Sequence, residues 1–163
     1  MRIRKKASFK PVTLREITSQ NIKAVLELNV SKGQKKIYPR SNGYSIAEGL
    51  FPLDNDVVWM RVIYAGDVPV GFVMTSEAPD RGEYLIWRLM VDAKHQGKGY
   101  GSRAVKLLIK RIKASPNVKK LVTSHLDGEG NAGPFYQKLG FKYTGEILQG
   151  HEHVMELDLR KSN

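Results

Sequence analysis

Apolar positions along the chain switch between a period of two and a period near 3.6, and the switches mark out its elements. Val12 to Ile17 reads as a first strand, and Ser19 as the N-cap of a helix through Leu28. Asn42 to Phe51 predicts a second, short helix, with Lys32, Lys35 and Lys36 on the loop before it. Val57 to Tyr64 and Val68 to Thr75 are apolar and β-branched on either side of Ala65-Gly66-Asp67, which predicts a hairpin leading into a strand from Tyr84 to Val91. Tyr100 to Ile112 is amphipathic and predicts a helix reaching about Ala114, stopped ahead of Ser115-Pro116-Asn117. Lys120 to Leu126 then reads as a strand, Pro134 to Leu139 as a short helix, and Phe141 to Ile147 with His153 to Leu159 as a closing hairpin. The pattern predicts a single α/β domain over residues 1–163 with a mixed, mostly antiparallel central sheet flanked by helices.

The junction between the Tyr84 strand and the Tyr100 helix carries the most chemistry. Gln96-Gly97-Lys98-Gly99-Tyr100-Gly101 places glycines between a strand end and a helix start. There several backbone N–H groups converge and the helix dipole adds positive potential, a setting for phosphate. The dinucleotide fingerprint needs G-x-G-x-x-G with a downstream acid, and the P-loop needs Lys and a hydroxyl after its last glycine; Ser102 and Arg103 follow here, so both are disfavoured. A tight strand-to-helix turn without a ligand is the alternative reading.

Gln96 to Gly101 resembles the Q/R-x-x-G-x-G/A element of the GNAT N-acetyltransferases. A second stretch, Asn131-Ala132-Gly133-Pro134-Phe135-Tyr136-Gln137-Lys138-Leu139-Gly140-Phe141, resembles the segment near the end of those domains; Phe135, Tyr136, Lys138, Gly140 and Phe141 fall in place, while Pro134 stands where the family has alanine. The resemblance runs from about Val12 to Leu157.

It implies a fold in which the fourth and fifth strands splay apart, and acetyl-CoA as acetyl donor. By resemblance, Leu89, Met90 and Val91 supply free backbone groups to the pantetheine arm, with an N–H near Met90 polarising the thioester carbonyl. Gln96, Gly97, Lys98, Gly99, Tyr100, Gly101 and Ser102 hold the pyrophosphate, with Arg103 adding charge, and Asn131 and Lys138 complete the cofactor set. Tyr136 is implied as the acid for the departing sulfur, whose free pKa of about 8.5 suits a leaving group at neutral pH. An aromatic pair on a short helix can equally be core packing.

A protonated amine has to lose its proton, and a carboxylate usually takes it. Many relatives carry Asp or Glu four residues before the position of Val91, where this chain has Trp87. Glu83 on the same strand and Glu48 on the Asn42 helix are the candidate catalytic carboxylates. Leu26 to Gln34, Asn42 to Glu48 and Trp87 to Asp92 resemble the bacterial spermine and spermidine acetyltransferases, which implies a polyamine acceptor; an antibiotic, peptide or protein amine, or a non-catalytic acyl-CoA-binding module, are the alternatives. Trp87 could line that pocket as a cation–π face or be plain core.

With 41% hydrophobic residues the chain can bury a full core, and no stretch reaches the length needed to span a bilayer. Residues 1–8 read as a flexible basic tail with no apolar secretory region, so a cytoplasmic location is expected. No cysteine is present, which excludes disulfides and a thiol carrier and favours direct transfer. The net charge of +11 suits a polyanionic cofactor and works against steering a polycation unless the acceptor pocket is locally acidic. The scattered Lys and Arg residues read as solvated surface rather than as a nucleic-acid patch. His151 and His153 could begin a metal site, but no third ligand is evident, so no metal is expected. Arg88, inside an apolar strand, needs a carboxylate or carbonyl partner if its guanidinium is buried. A homodimer is possible, as dimers are common in the family.

Overall fold

The computed structural model describes residues 10–52 and 54–160. The expected basic tail, 1–8, lies outside them. Seven strands form one sheet in the order β1-β2-β3-β4-β5-β7-β6: β1 (Val12–Arg15), β2 (Val57–Ala65), β3 (Val68–Ala78), β4 (Glu83–Val91), β5 (Lys120–Leu126), β6 (Lys142–Leu148) and β7 (Glu152–Asp158). All neighbours are antiparallel except β4 and β5, which is the mixed sheet the hydrophobic pattern predicts. Among the described residues five α-helices accompany it: α1 (Ile22–Glu27), α2 (Lys32–Ile37), α3 (Asn42–Glu48), α4 (Tyr100–Ile112) and α5 (Gly133–Lys138).

Each face of the sheet has its own core. Ala104, Val105, Leu108 and Ile112 form the buried stripe of α4 and pack with Ile63, Val73, Tyr84, Ile86, Leu121, Tyr136 and Met155. The other core joins Val25 of α1 to Val62, Phe72 and Met74, with Ile46, Trp87 and Met90 packed against it. Burying each large aliphatic side chain contributes about 1.5–3 kcal/mol, so α4 is held mainly by this stripe. Its end is set by Pro116, after Ala114 and Ser115 turn back onto the carbonyls of Arg111 and Ile112.

Three expectations are corrected. The first helix starts at Ile22 with Asn21 at its N-cap, not Ser19, because the Asn21 side chain accepts from the Thr18 N–H and organises a turn ahead of the helix. Lys32, Lys35 and Lys36 lie on α2, whose cap is the Ser31 hydroxyl accepting from the Gln34 N–H. Strand β3 continues past Thr75 to Ala78, since Ser76 and Glu77 are buried polar residues satisfied by Asp56 and Arg111.

Candidate active site

The parallel pairing of β4 with β5 runs through Glu83–Lys120, Tyr84–Leu121 and Leu85–Val122 and stops at Ile86–Thr123. Beyond that point β4 pairs only with β3, while β5 pairs only with β7. Trp87 is the cause on the β4 side: Met74 faces Arg88 and Thr75 faces Ile86, so Trp87 is the extra residue of a β-bulge. Bulges bend a strand and re-aim its side chains. Here Trp87 and Met90 are turned toward the α1–α3 core, and Leu89 toward the α4 core. The splay expected of strands 4 and 5 is therefore present, with Leu89, Met90 and Val91 along its open edge.

Gly71 lets β3 support this bend. A Cβ there would lie 2.4 Å from the Met90 carbonyl oxygen, so only glycine allows the two backbones to approach.

At the end of β4, Asp92 fixes the exit. One carboxylate oxygen accepts from the Asn29 N–H at 2.9 Å and the other from the Lys94 N–H at 3.2 Å, tying the α1–α2 connection to the strand end. Gln96 then spans the turn, its amide donating to the Val91 carbonyl at 2.9 Å and to Gln34 of α2 at 2.7 Å. Gly97 and Gly99 both have φ of +74°, a conformation that other residues reach only under strain. Gly99 is the N-cap of α4, so the first-turn N–H groups of Tyr100, Gly101 and Ser102 are exposed to the turn rather than to a capping side chain. Arg103 donates to the Lys98 carbonyl at 2.7 Å and holds the turn from inside, while the Lys98 amine donates to the Lys94 carbonyl at 3.1 Å. Asp92 and Gln34 lie in the segments Trp87 to Asp92 and Leu26 to Gln34 that carry the resemblance, but the sequence did not reveal their part in holding the turn.

Tyr136 lies at the closed end of the splay. Its phenol is buried, hydrogen-bonded to the Thr123 side chain, and pushed up to about 12 by desolvation, which the Thr123 contact partly offsets. The loop before α5 is tied by Asn131, whose amide donates to the Gly128 carbonyl at 3.0 Å and accepts from the Gly133 N–H at 3.0 Å. Each end of that amide keeps one further hydrogen-bonding position. Lys138 is exposed in the last turn of α5.

The two carboxylates are treated differently. Glu83 stands at the far end of β4, eight residues before Val91 and so about 26 Å from it at 3.3 Å per residue. It pairs there with Arg81 and Lys120. Glu48, the last residue of α3, is brought to the splay: Arg88 donates to it at 2.8 Å, and Arg40 approaches to 3.7 Å. Arg88 thus has a part-buried carboxylate as its partner.

His153 lies in β7 and pairs with Asp127 at 2.8 Å, while its ring stacks on His125. No metal-binding group of acidic, histidine or cysteine residues exists among the described residues. Nor, among those residues, is any helix long and apolar enough to cross a membrane.

A splayed parallel pair, a glycine turn capping a helix at its mouth and a buried tyrosine at its closed end make up the candidate site. The model of the acetyltransferase (GNAT) family matches residues 23–141, and the chain belongs to that family as a GNAT-type N-acetyltransferase. It is 27% identical over 157 residues to the spermine/spermidine N(1)-acetyltransferase of Bacillus subtilis strain 168, covering 91% of this chain and 99% of that protein. The probable spermine N(1)-acetyltransferase of Bacillus subtilis subsp. natto is equally similar, 27% over 157 residues, with the same 91% and 99% coverage. Among solved structures, the ribosomal-protein-S18-alanine N-acetyltransferase of Escherichia coli superposes with a TM-score of 0.67 at 15% identity, over 94% of this chain and 97% of that one. An aminoglycoside acetyltransferase in complex with coenzyme A does so with 0.70 at 19%, over 91% and 95%.

Proposed function

We propose that this chain, as one acetyltransferase domain, moves an acetyl group from acetyl-CoA directly to a primary amine, and that the amine is a polyamine such as spermine or spermidine. The observation that carries the donor half is the end of β4–β5 pairing at Ile86–Thr123 beside a turn whose glycines and uncapped helix start suit a pyrophosphate. The coenzyme A complex of the aminoglycoside acetyltransferase supports the same reading. The names of the Bacillus subtilis relatives support the polyamine.

Acetyl-CoA supplies the acyl group already activated as a thioester. The chain's part is alignment and proton control. The unpaired edge of Leu89, Met90 and Val91 offers backbone groups to an extended ligand, as an open strand edge does. Gly97 to Ser102 would hold the phosphates, with Lys98 and the Asn131 amide on the flanks. Tyr136 keeps its proton through the physiological range and holds it at Oη for the leaving sulfur. On the acceptor side, with Trp87 where relatives carry a carboxylate, Glu48 is the acid near the splay and receives a cationic part of the acceptor. No metal enters this reading, and a cytoplasmic location and a possible homodimer belong to it.

The test is acetyl-CoA-dependent thiol release across spermine, spermidine, diamines, aminoglycosides and lysine peptides. Saturation with the polyamines alone supports the reading. Saturation with another amine class keeps the transferase and replaces the acceptor, and binding of acetyl-CoA with no turnover on any amine rejects catalysis of amine transfer.

A further inference from the structure

On the α1–α3 side of the splay, two guanidinium groups hold Glu48 on unequal terms. Arg88 donates to Oε2 at 2.8 Å and to the Trp87 carbonyl at 2.7 Å, and lies 4.7 Å from the centre of the Tyr38 ring. Arg40 reaches Oε1 only to 3.7 Å, too far for a hydrogen bond, and lies 4.3 Å from the centre of the Tyr44 ring. Its side chain is 47% exposed, against 20% for Arg88. One arginine is built into the sheet wall, and the other rests on the carboxylate from the solvent side.

A carboxylate oxygen and an aromatic face that converge on one cation are also what an alkylammonium requires. An ammonium is compact and carries three rotatable donors, so it can reach Oε1 at hydrogen-bond distance where the planar guanidinium stops short. On leaving, Arg40 gives up a half-exposed ion pair that is weak without a hydrogen bond, together with its hydrogen bond to the Tyr38 side chain, and its head group returns to water.

We propose that Arg40 is an internal stand-in for the second cation of the acceptor: it occupies Glu48 Oε1 and the Tyr44 face in the free protein, and a polycationic acceptor displaces it. The inference rests on the polyamine reading above and names the residue that sets the strength of acceptor binding. Amines with one charge leave Arg40 in place. Amines with a second ammonium at the right reach compete with it, so their KM carries a penalty that the chain itself imposes.

The experiment compares wild type with Arg40→Gln, Arg40→Lys and Arg40→Gln in a Glu48→Gln background, each checked by thermal melting. Spermidine and propylamine serve as acceptors, and spermidine binding is also measured by calorimetry. In Arg40→Gln, KM and Kd for spermidine fall by roughly two- to tenfold, the range that a weak ion pair and an exposed cation–π contact cover. The KM for propylamine, which has no second ammonium, holds; Arg40→Lys, whose ammonium can take the same place on Glu48, shows no such gain; and the gain disappears when Glu48 is Gln. An unchanged or raised spermidine KM in Arg40→Gln, with spermidine still a substrate, overturns the stand-in and leaves the polyamine reading intact. Failure of wild type and variant alike to bind or acetylate any polyamine overturns the reading and the stand-in together.

Discussion

Thr123, the last residue of β5 to face a partner on β4, is also the residue that hydrogen-bonds the Tyr136 hydroxyl. The point where the sheet opens and the point where a proton is stored are therefore one location, fixed by backbone pairing on one side and by a buried phenol on the other. Replacing Tyr136 by Phe keeps the ring and removes the proton. Turnover should drop by tenfold or more while the Kd for acetyl-CoA, read by calorimetry, changes little; unaltered turnover would remove Tyr136 from the chemistry.

The same phenol makes stability sensitive to alkali. Its folded pKa, about 12, lies above the ordinary phenol value of 10.0 that the unfolded chain keeps. The unfolded chain therefore releases the proton first as pH rises. The stabilisation is full below pH 10, declines between 10 and 12 and is gone above, a change on the order of 3 kcal/mol for two pKa units. Urea melts of wild type and Tyr136→Phe from pH 9 to 12 should converge as pH rises, because the variant lacks this loss. Parallel curves would rule the linkage out.

Gly71→Ala tests the close approach of β3 to the bend. The added methyl meets a backbone oxygen rather than a flexible side chain, so β4 has to move. A loss of about 1–3 kcal/mol in stability is expected from overpacking. A raised KM for acetyl-CoA should accompany it, because the displaced carbonyl belongs to Met90 on the open edge.

Arg88→Met removes the stronger partner of Glu48 and leaves that carboxylate part-buried beside Arg40 alone. Stability should fall by about 1–3 kcal/mol, below the full cost of a stranded buried charge because Glu48 is 29% exposed. Arg88→Met with Glu48→Gln should recover most of it. A double variant as unstable as the single one would show that packing of the guanidinium over Tyr38, not charge, is what matters.

How much of this was readable in advance follows from how far each feature reaches along the chain. The glycine turn and the Asn131 to Phe141 segment are local, and so were the strands on either side of them, because backbone conformation at Gly97, Gly99 and Gly140 leaves its mark in a few adjacent residues. The position of the bulge at Trp87 was not readable. It depends on which residues of β3 the strand faces, a pairing that no stretch of β4 records by itself. The partner of Arg88 was hidden for the same reason, since Glu48 lies 40 residues away. The helix α2 was masked by Gly33 and by its polar surface, with no buried residue to give it a periodicity.

The sheet order has one further consequence. Strands β1 to β4 form one antiparallel block, β5 to β7 another, and four parallel residue pairs are the seam between them. Parallel pairing is the less stable kind, so the seam is where the molecule should open first under thermal fluctuation. A ligand lying in the splay touches both blocks and closes that line from its open end. Saturating acetyl-CoA should therefore slow hydrogen exchange at Leu85, Ile86, Val122 and Thr123 more than in the middle of β2 and β3, so that the donor substrate acts as a structural member of the sheet it enters.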